Sequence, residues 1–299
     1  MKVQTFSVVV GSSACDGCCP FCISRMTGYD CLPDSQEINE QAFKKAIRWA
    51  EKGGCTTCLI TGKGEPTLYP SEITEYLSIL EDEFEEGRGF PSIEIQTNAL
   101  RIGKIADEWY RWRRAVSDLG QTATLTKWRD KCYNDPESFD KSLEALYTLA
   151  SALIRWRVKG LDYIAISAVG INENHNREVY LANSKSKQYP NLHTTIEFLH
   201  FLGYKVRLCV MMLNGMVDTT AKVIEVVNWC RSNKVEQLTI RPVRKAHKSE
   251  DDDCSRYIDE HGLTEDQELY IKGYINTLVA SGDAKVLMTL MSGNNKATV

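Results

Sequence analysis

Short apolar runs alternate with amphipathic stretches along most of this 299-residue chain. The run "TFSVVVG" (5–11) is rich in β-branched residues and predicts a first strand. Residues 36–52 then place Ile38, Ala42, Ala46 and Trp49, together with Phe43, Ile47 and Ala50, on one broad face; this is the 3.6-residue period of an amphipathic helix, and Gly53-Gly54 marks its end. The same alternation continues. "TTCLITG" (56–62), "PSIEIQTNA" (91–99), "LDYIAISAVG" (161–170), "KVRLCVMML" (205–213) and "EQLTIRPV" (236–243) read as strands. Helical patterns start at Pro70-Ser71, fill 101–160 with breaks near Gly120 and Asn134-Asp135-Pro136, and recur at 191–202, where Gly203 is a C-cap, and at 218–231. Thr264-x-x-Gln267 is a capping box for a helix of about 16 residues. The acidic stretch Glu250–Asp253 reads as a solvated loop, and the sheet-like segment 284–293 closes or flanks the core. Strand and helix thus alternate six times, and the strands are apolar runs rather than strict alternations. This predicts an α/β chain built on a mainly parallel sheet, and both a doubly wound sheet and a barrel satisfy the pattern.

Composition narrows the function. The chain is 43% hydrophobic and 25% charged, as ordinary globular proteins are. Its 36 basic residues against 40 acidic ones give a net charge of −4, so no bulk basic surface for nucleic acid is expected. No apolar stretch reaches the roughly 18 residues of a membrane span. The N-terminal segment makes a better first strand than a signal peptide, and the expected location is cytoplasmic. The Trp/Arg run Trp109–Arg114, with Trp128 and Trp156, resembles a stacking surface for nucleic acid, but helical core packing with snorkelling arginines explains it better.

Cysteine is the informative excess. Five of the 11 cysteines fall between positions 15 and 31. An odd, front-loaded set argues against a disulfide scaffold and for metal or thiol chemistry. Cys15-x3-Cys19-x2-Cys22 follows the first strand directly, and soft thiolates so spaced suit an iron–sulfur cluster or, with a fourth ligand, zinc. Cys18 reads as a bystander and Cys55 and Cys58 as buried core thiols; Cys31 and Cys254 have no assigned role.

With Phe21 just before its last cysteine, this triad resembles the signature of the radical SAM superfamily. A second match follows the second strand: Gly62-Lys63-Gly64-Glu65-Pro66 resembles that family's Gly-Gly-Glu-Pro loop, in the variant seen in its RNA methyltransferases. The resemblance covers roughly residues 5–245 and implies a partial (βα)6 TIM-type barrel with parallel strands: a core over 1–248, a helical insertion at about 101–160 and a C-terminal extension at 249–299. It implies a [4Fe-4S] cluster held by Cys15, Cys19 and Cys22. S-adenosylmethionine (SAM) would be bound by Phe21, Gly62, Gly64, Glu65, Gln96, Asn98, Ser167, Arg207 and Asn214, with Asn174, His175, Arg241 and Arg244 toward substrate. Sites in such barrels gather at the carboxyl ends of the strands.

The activity implied is reductive cleavage of SAM to a 5′-deoxyadenosyl radical that abstracts hydrogen from substrate, with flavodoxin or ferredoxin as reductant. The layout resembles the core of the molybdenum-cofactor cyclase branch, but the compact C-terminal cysteine set of its second cluster is missing: Cys209, Cys230 and Cys254 stand apart. A small, anionic or nucleotide-like metabolite is the expected substrate. An RNA-modifying enzyme, a glycyl-radical-enzyme activase, an electron carrier and a zinc-stabilised binding module are the alternatives.

Overall fold

The computed structural model describes residues 4–28, 37–84, 89–115, 141–182, 188–281, 287–292 and 295–296. Its strands are β1 (Thr5–Val9), β2 (Thr57–Thr61), β3 (Ser92–Thr97), β4 (Tyr163–Ala168), β5 (Lys205–Met212), β6 (Gln237–Pro242), β7 (Leu287–Ser292) and β8 (Asn295–Lys296). The helices among the described residues are α1 (Ile23–Met26), α2 (Glu40–Lys52), α3 (Pro70–Glu83), α4 (Leu100–Ala115), α5 (Lys141–Val158), α6 (Glu173–Tyr180), α7 (Leu192–Phe201), α8 (Thr220–Ser232), α9 (Asp252–His261) and α10 (Glu265–Ala280). Chain contacts divide the molecule into two compact units: Met1–Ala14, Pro33–Ile164 and Pro190–Tyr204 form the first, and Cys15–Leu32, Ala165–Tyr189 and Lys205–Val299 the second.

In the first unit β1 pairs with β2, and β2 with β3, both in parallel. Burial alternates along β2: Cys58 and Ile60 are fully buried, while Thr57, Leu59 and Thr61 are half-buried. One sheet face is therefore closed and the other partly open. Helical packing in this unit is aromatic. Trp109 is fully buried against Phe198 and Phe201, with ring centroids 5.6 and 4.9 Å away, and the Arg113 guanidinium lies 5.1 Å from its ring. Trp156 is also fully buried and donates from Nε1 to Thr74 Oγ1 at 2.8 Å. These two tryptophans are core residues, as the helical reading expects; Trp128 and the breaks at Gly120 and 134–136 lie outside the described residues.

Helix α2 starts later than its apolar period suggests, because the Asn39 side chain caps it by accepting the Ala42 N–H at 3.0 Å. Its buried face runs through Ile47 and Ala50, and Trp49 stands 65% exposed beneath the Lys45 ammonium rather than on that face. Gly54 then takes the left-handed conformation (φ 74°) that ends the helix.

In the second unit β5, β6 and β7 pair in parallel, and β8 returns antiparallel on β7. The segment expected to close or flank the core thus adds a strand to β6. Along β5, Val206, Leu208, Val210 and Met212 are buried; on the other face Arg207 and Met211 are half-buried but Cys209 between them is buried, so that face is only partly open. The Thr264/Gln267 capping box forms as read: each side chain accepts the other's backbone N–H, at 2.9 and 3.3 Å. The acidic stretch is not a loop. Asp251 is the N-cap of α9, and Asp252 and Asp253 occupy its first turn, where carboxylates favour the helix dipole. Helix α6 was likewise hidden in a polar run; Asn172 caps it by accepting the N–H groups of Asn174 and His175.

Candidate functional site

The second unit carries the cysteine loop. Cys15 is exposed and Cys18, Cys19 and Cys22 are half-buried, on a loop whose backbone is held by the Cys18 N–H on Tyr180 O (2.8 Å) and the Cys22 N–H on Cys19 O (3.2 Å). The Gly17 N–H points at Cys15 Sγ, 3.4 Å away, a donor of the kind that steadies a ligating thiolate. Burial pushes the Cys19 thiol well above its ordinary pKa, and the nearby Cys22, Cys15 and Cys18 push it further. Among the described residues no three His, Cys, Asp or Glu side chains gather around a single metal-ion position. Soft donors on a short loop with a backbone N–H aimed at sulfur fit an iron–sulfur cluster.

Helix α1, with Cys22 as its N-cap, is tied to the C-terminal segment. Arg25 donates from Nε to Asp251 Oδ2 at 2.8 Å and its Nη2 lies 2.7 Å from the same oxygen, while Asp251 Oδ1 accepts the Cys254 N–H at 2.7 Å. The Glu250 N–H donates to Met26 O at 2.8 Å. Phe21 is buried, with its ring centroid 6.4 Å from both Tyr180 and Tyr257. Cys254 is fully buried, and burial raises its pKa against the opposing influence of Arg25 and of the Cys22 backbone. A residue remote in sequence therefore packs beside the third cysteine of the triad.

The hydrogen bond from the Cys254 N–H, followed by the charge of Arg25, holds the Asp251 carboxyl below its ordinary pKa. A depressed carboxyl stabilises the fold fully above its unfolded value of about 3.9 and ceases to do so as pH falls through the folded value. The melting-temperature difference between wild type and Asp251→Asn is accordingly expected to persist from pH 7 to about pH 5 and to vanish in more acidic buffer. A difference independent of pH across that range would contradict the linkage.

The first unit carries the glycine loop. Gly64 and Glu65 donate their N–H groups to Ser12 O and Ala14 O, at 3.1 and 2.9 Å, which pins the backbone just before Cys15. A Cβ on Gly64 would lie 1.9 Å from Ala14 O, so no other residue fits there without displacing that backbone. Glu65 is buried, and its carboxylate is fully engaged. Oε1 accepts from Thr67 N (3.0 Å), Thr67 Oγ1 (2.6 Å) and Thr97 Oγ1 (2.6 Å), and Oε2 accepts from Asn98 N (2.9 Å). Burial nevertheless raises its pKa, against the lowering effect of these bonds. Glu65 thereby fastens the end of β3 to the loop after β2, while Asn98 Oδ1 accepts the Leu100 N–H at 2.9 Å to start α4. Sequence reasoning missed a second clamp. Tyr69 and Ser12 share a hydroxyl hydrogen bond at 2.5 Å, and both Glu72 carboxylate oxygens accept the Gly11 N–H, at 3.2 and 3.1 Å. The only sequence signal for it was a glycine at the exit of a strand.

The remaining candidates separate by position. Gln96 and Ser167 are half-buried, each next to last in its strand, and Asn214 is exposed just beyond β5, donating its N–H to His261 O at 2.8 Å. Asn174 is exposed and His175 half-buried in the first turn of α6. Asn176 is fully buried and structural: it accepts the Val169 N–H and donates to Gly170 O, at 2.8 and 2.9 Å. Arg207 is the exception to the expected carboxyl-end placement. It is the third residue of β5 and donates to Gln237, the first residue of β6, at 2.7 Å, so it sits at the amino end of that strand. Arg244 is paired with Glu268, and Lys245 with Asp259 at 2.5 Å. Arg241, half-buried near the end of β6, is different: its Nε is buried with no hydrogen-bond partner among the described residues. Cys55 and Cys58 are buried near the start of β2, and burial, with Cys55 alongside, raises the Cys58 pKa to about 12.

Comparison with known proteins agrees with this geometry. The family model of the radical SAM superfamily matches residues 9–158, half of the chain. No curated protein matches it. Among solved structures, SuiB of Streptococcus suis bound to S-adenosylmethionine superposes with a TM-score of 0.54 at 15% identity, covering 98% of this chain and 51% of SuiB. HydG, a maturase of the [FeFe]-hydrogenase, gives 0.57 at 11%, covering 98% and 53%. A radical SAM methyltransferase from Sphaerobacter thermophilus gives 0.53 at 15%, covering 97% and 67%. The chain spans about half the length of SuiB and HydG, and at these identities the likeness is one of fold: α/β, of the partial (βα)6 barrel type. Among the described residues no helix is long and apolar enough to cross a membrane. The family match begins in β1 and takes in both the thiol loop and the glycine loop, and on that ground the chain belongs to the radical SAM superfamily, which implies a [4Fe-4S] cluster and S-adenosylmethionine as its cofactors.

Proposed function

We propose that this chain is a radical SAM enzyme acting on a small anionic metabolite. Cys15, Cys19 and Cys22 hold the cluster. The Gly62–Glu65 loop offers backbone groups to the amino group of SAM, and Phe21, Gln96, Asn98, Ser167 and Asn214 supply further SAM contacts. A bound cluster would supply the one-electron chemistry of reductive SAM cleavage, by which hydrogen would be taken from substrate. The chain itself binds, orients and excludes water; no side chain is needed as general acid or base. A small flavoprotein or ferredoxin serves as reductant.

Arg241 carries the substrate reading. An arginine side chain whose Nε is buried without an acceptor is costly in a native fold, and a carboxylate or phosphate supplies the missing acceptor. Arg244 and Lys245, by contrast, are already paired within the chain. Asn174 and His175, at the start of α6, are secondary substrate contacts.

The test screens phosphorylated and carboxylated metabolites for stimulation of 5′-deoxyadenosine release over SAM alone, in wild type and Arg241→Gln. Loss of one charged hydrogen bond is expected to weaken an active metabolite by roughly 10- to 100-fold (about 1.5–3 kcal/mol) while leaving release from SAM alone unchanged. Equal stimulation of both proteins would overturn the anionic reading. A fall in SAM affinity in the variant would reassign Arg241 to the SAM carboxylate.

A further inference from the structure

The function proposed above does not use the charge pair between Arg25 on α1 and Asp251, the N-cap of α9. Arg25 stands three residues after Cys22, which is the N-cap of α1, so the two are close along the chain. The Arg25 guanidinium is fixed: two of its nitrogens contact one oxygen of Asp251, and the other Asp251 oxygen is held by the N–H of Cys254. Surface ion pairs are usually loose and contribute little. This one is anchored on both sides. The Asp251 side chain is only 18% exposed, and the neighbouring Glu250 N–H binds Met26 O. Gly28 completes the docking: its φ is +69°, and a Cβ there would lie 2.2 Å from the Glu250 carboxylate. Burial lowers the pKa of Arg25, but Cys254, then Asp251 and last Cys22 raise it by more.

We propose that Arg25 and Asp251 set the reduction potential of the cluster held by Cys15, Cys19 and Cys22, with Arg25 supplying positive charge beside Cys22 and Asp251 cancelling part of it. The inference rests on the cluster reading above. Adding an electron to the cluster adds negative charge, and a fixed cation close along the chain to a ligand favours the reduced state. Asp251 opposes this and also holds the guanidinium in place. A structural clamp and an electrostatic device make different predictions. Loosening the loop from either side moves the potential in one direction, whereas removing opposite charges moves it in opposite directions.

The experiment is an anaerobic potentiometric titration of the full chain reconstituted with iron and sulfide, without SAM, reading the paramagnetic signal of the reduced cluster. Arg25→Gln is expected to lower the reduced-to-oxidised ratio at a fixed potential about tenfold, equivalent to about 59 mV for one electron. Asp251→Asn keeps a capping oxygen, removes the charge and is expected to raise the ratio. Arg25→Lys keeps the charge and stays near wild type. Shifts of the same sign in Arg25→Gln and Asp251→Asn, or no shift in either, overturn the proposal while leaving the cluster in place. If Arg25→Gln loses its cluster, Arg25→Lys and Asp251→Asn still give the sign. A wild-type protein that takes up no four-iron cluster overturns the cluster reading itself, and the proposal with it.

Discussion

Gly64→Ala is expected to cost about 2–4 kcal/mol of stability and most of the iron-binding capacity, although it adds a single methyl group. That methyl would lie 1.9 Å from Ala14 O, a backbone atom with no rotamer to escape by. Relieving the clash pulls residues 12–14 away from the loop, and with them go the hydrogen bonds Gly64 and Glu65 make to Ser12 and Ala14. Cys15 is the next residue, so the displaced backbone is the one that leads into the thiol triad. Gly273→Ala is the matched control. No atom lies within 4 Å of a Cβ built there, mid-way along α10, and helix propensity favours alanine by about 0.5–1 kcal/mol. Melting temperature and iron content of the two variants separate the effects. A Gly64→Ala protein that melts and loads iron like wild type would contradict the close approach.

Glu65→Gln is expected to destabilise the fold by about 1–3 kcal/mol even though it removes a buried charge. Four donors converge on this carboxylate, and two of them are the backbone N–H groups of Thr67 and Asn98, one on each oxygen. A glutamine amide has one acceptor oxygen, so its NH2 group must face one of those N–H groups whichever way it is turned. Burial also leaves a pH signature. Glu65 has a raised folded pKa, so the native state binds more protons than the unfolded chain between the ordinary carboxyl value and that raised value. Stability from this group therefore falls as pH rises through that window, and the slope is absent in Glu65→Gln. Urea unfolding midpoints at a series of pH values read both effects. A variant as stable as wild type, with the same pH slope, would contradict the buried clamp.

What the sequence disclosed was local, and what it concealed was long-range. The triad and the glycine loop each lie within eight residues, and their chemistry depends on spacing along one loop, so both were legible. The capping box at Thr264 and Gln267 and the glycine at 203 were legible for the same reason. Strand positions were recovered as apolar runs, but not their half-open faces, because covering one face with helices leaves the other to be settled by register. That is why Arg207 was expected near the cofactor: its strand was recognised, but the residue sits at the amino end of it. The acidic stretch was misread because Asp251 gains its meaning from Arg25, 226 residues away, and Cys254 from the loop it packs beside. Charge runs look solvated until a distant partner turns one member into a helix cap.

Release of 5′-deoxyadenosine from SAM is the most direct measurement. The protein is reconstituted anaerobically with iron and sulfide, reduced and given SAM without added substrate, with Cys19→Ala treated in parallel. A brown wild-type protein that releases 5′-deoxyadenosine, beside a Cys19→Ala variant that neither holds the four-iron cluster nor releases it, is the expected result. A colourless wild-type protein, or one whose cluster leaves SAM intact under reducing conditions, would contradict radical SAM chemistry in this chain.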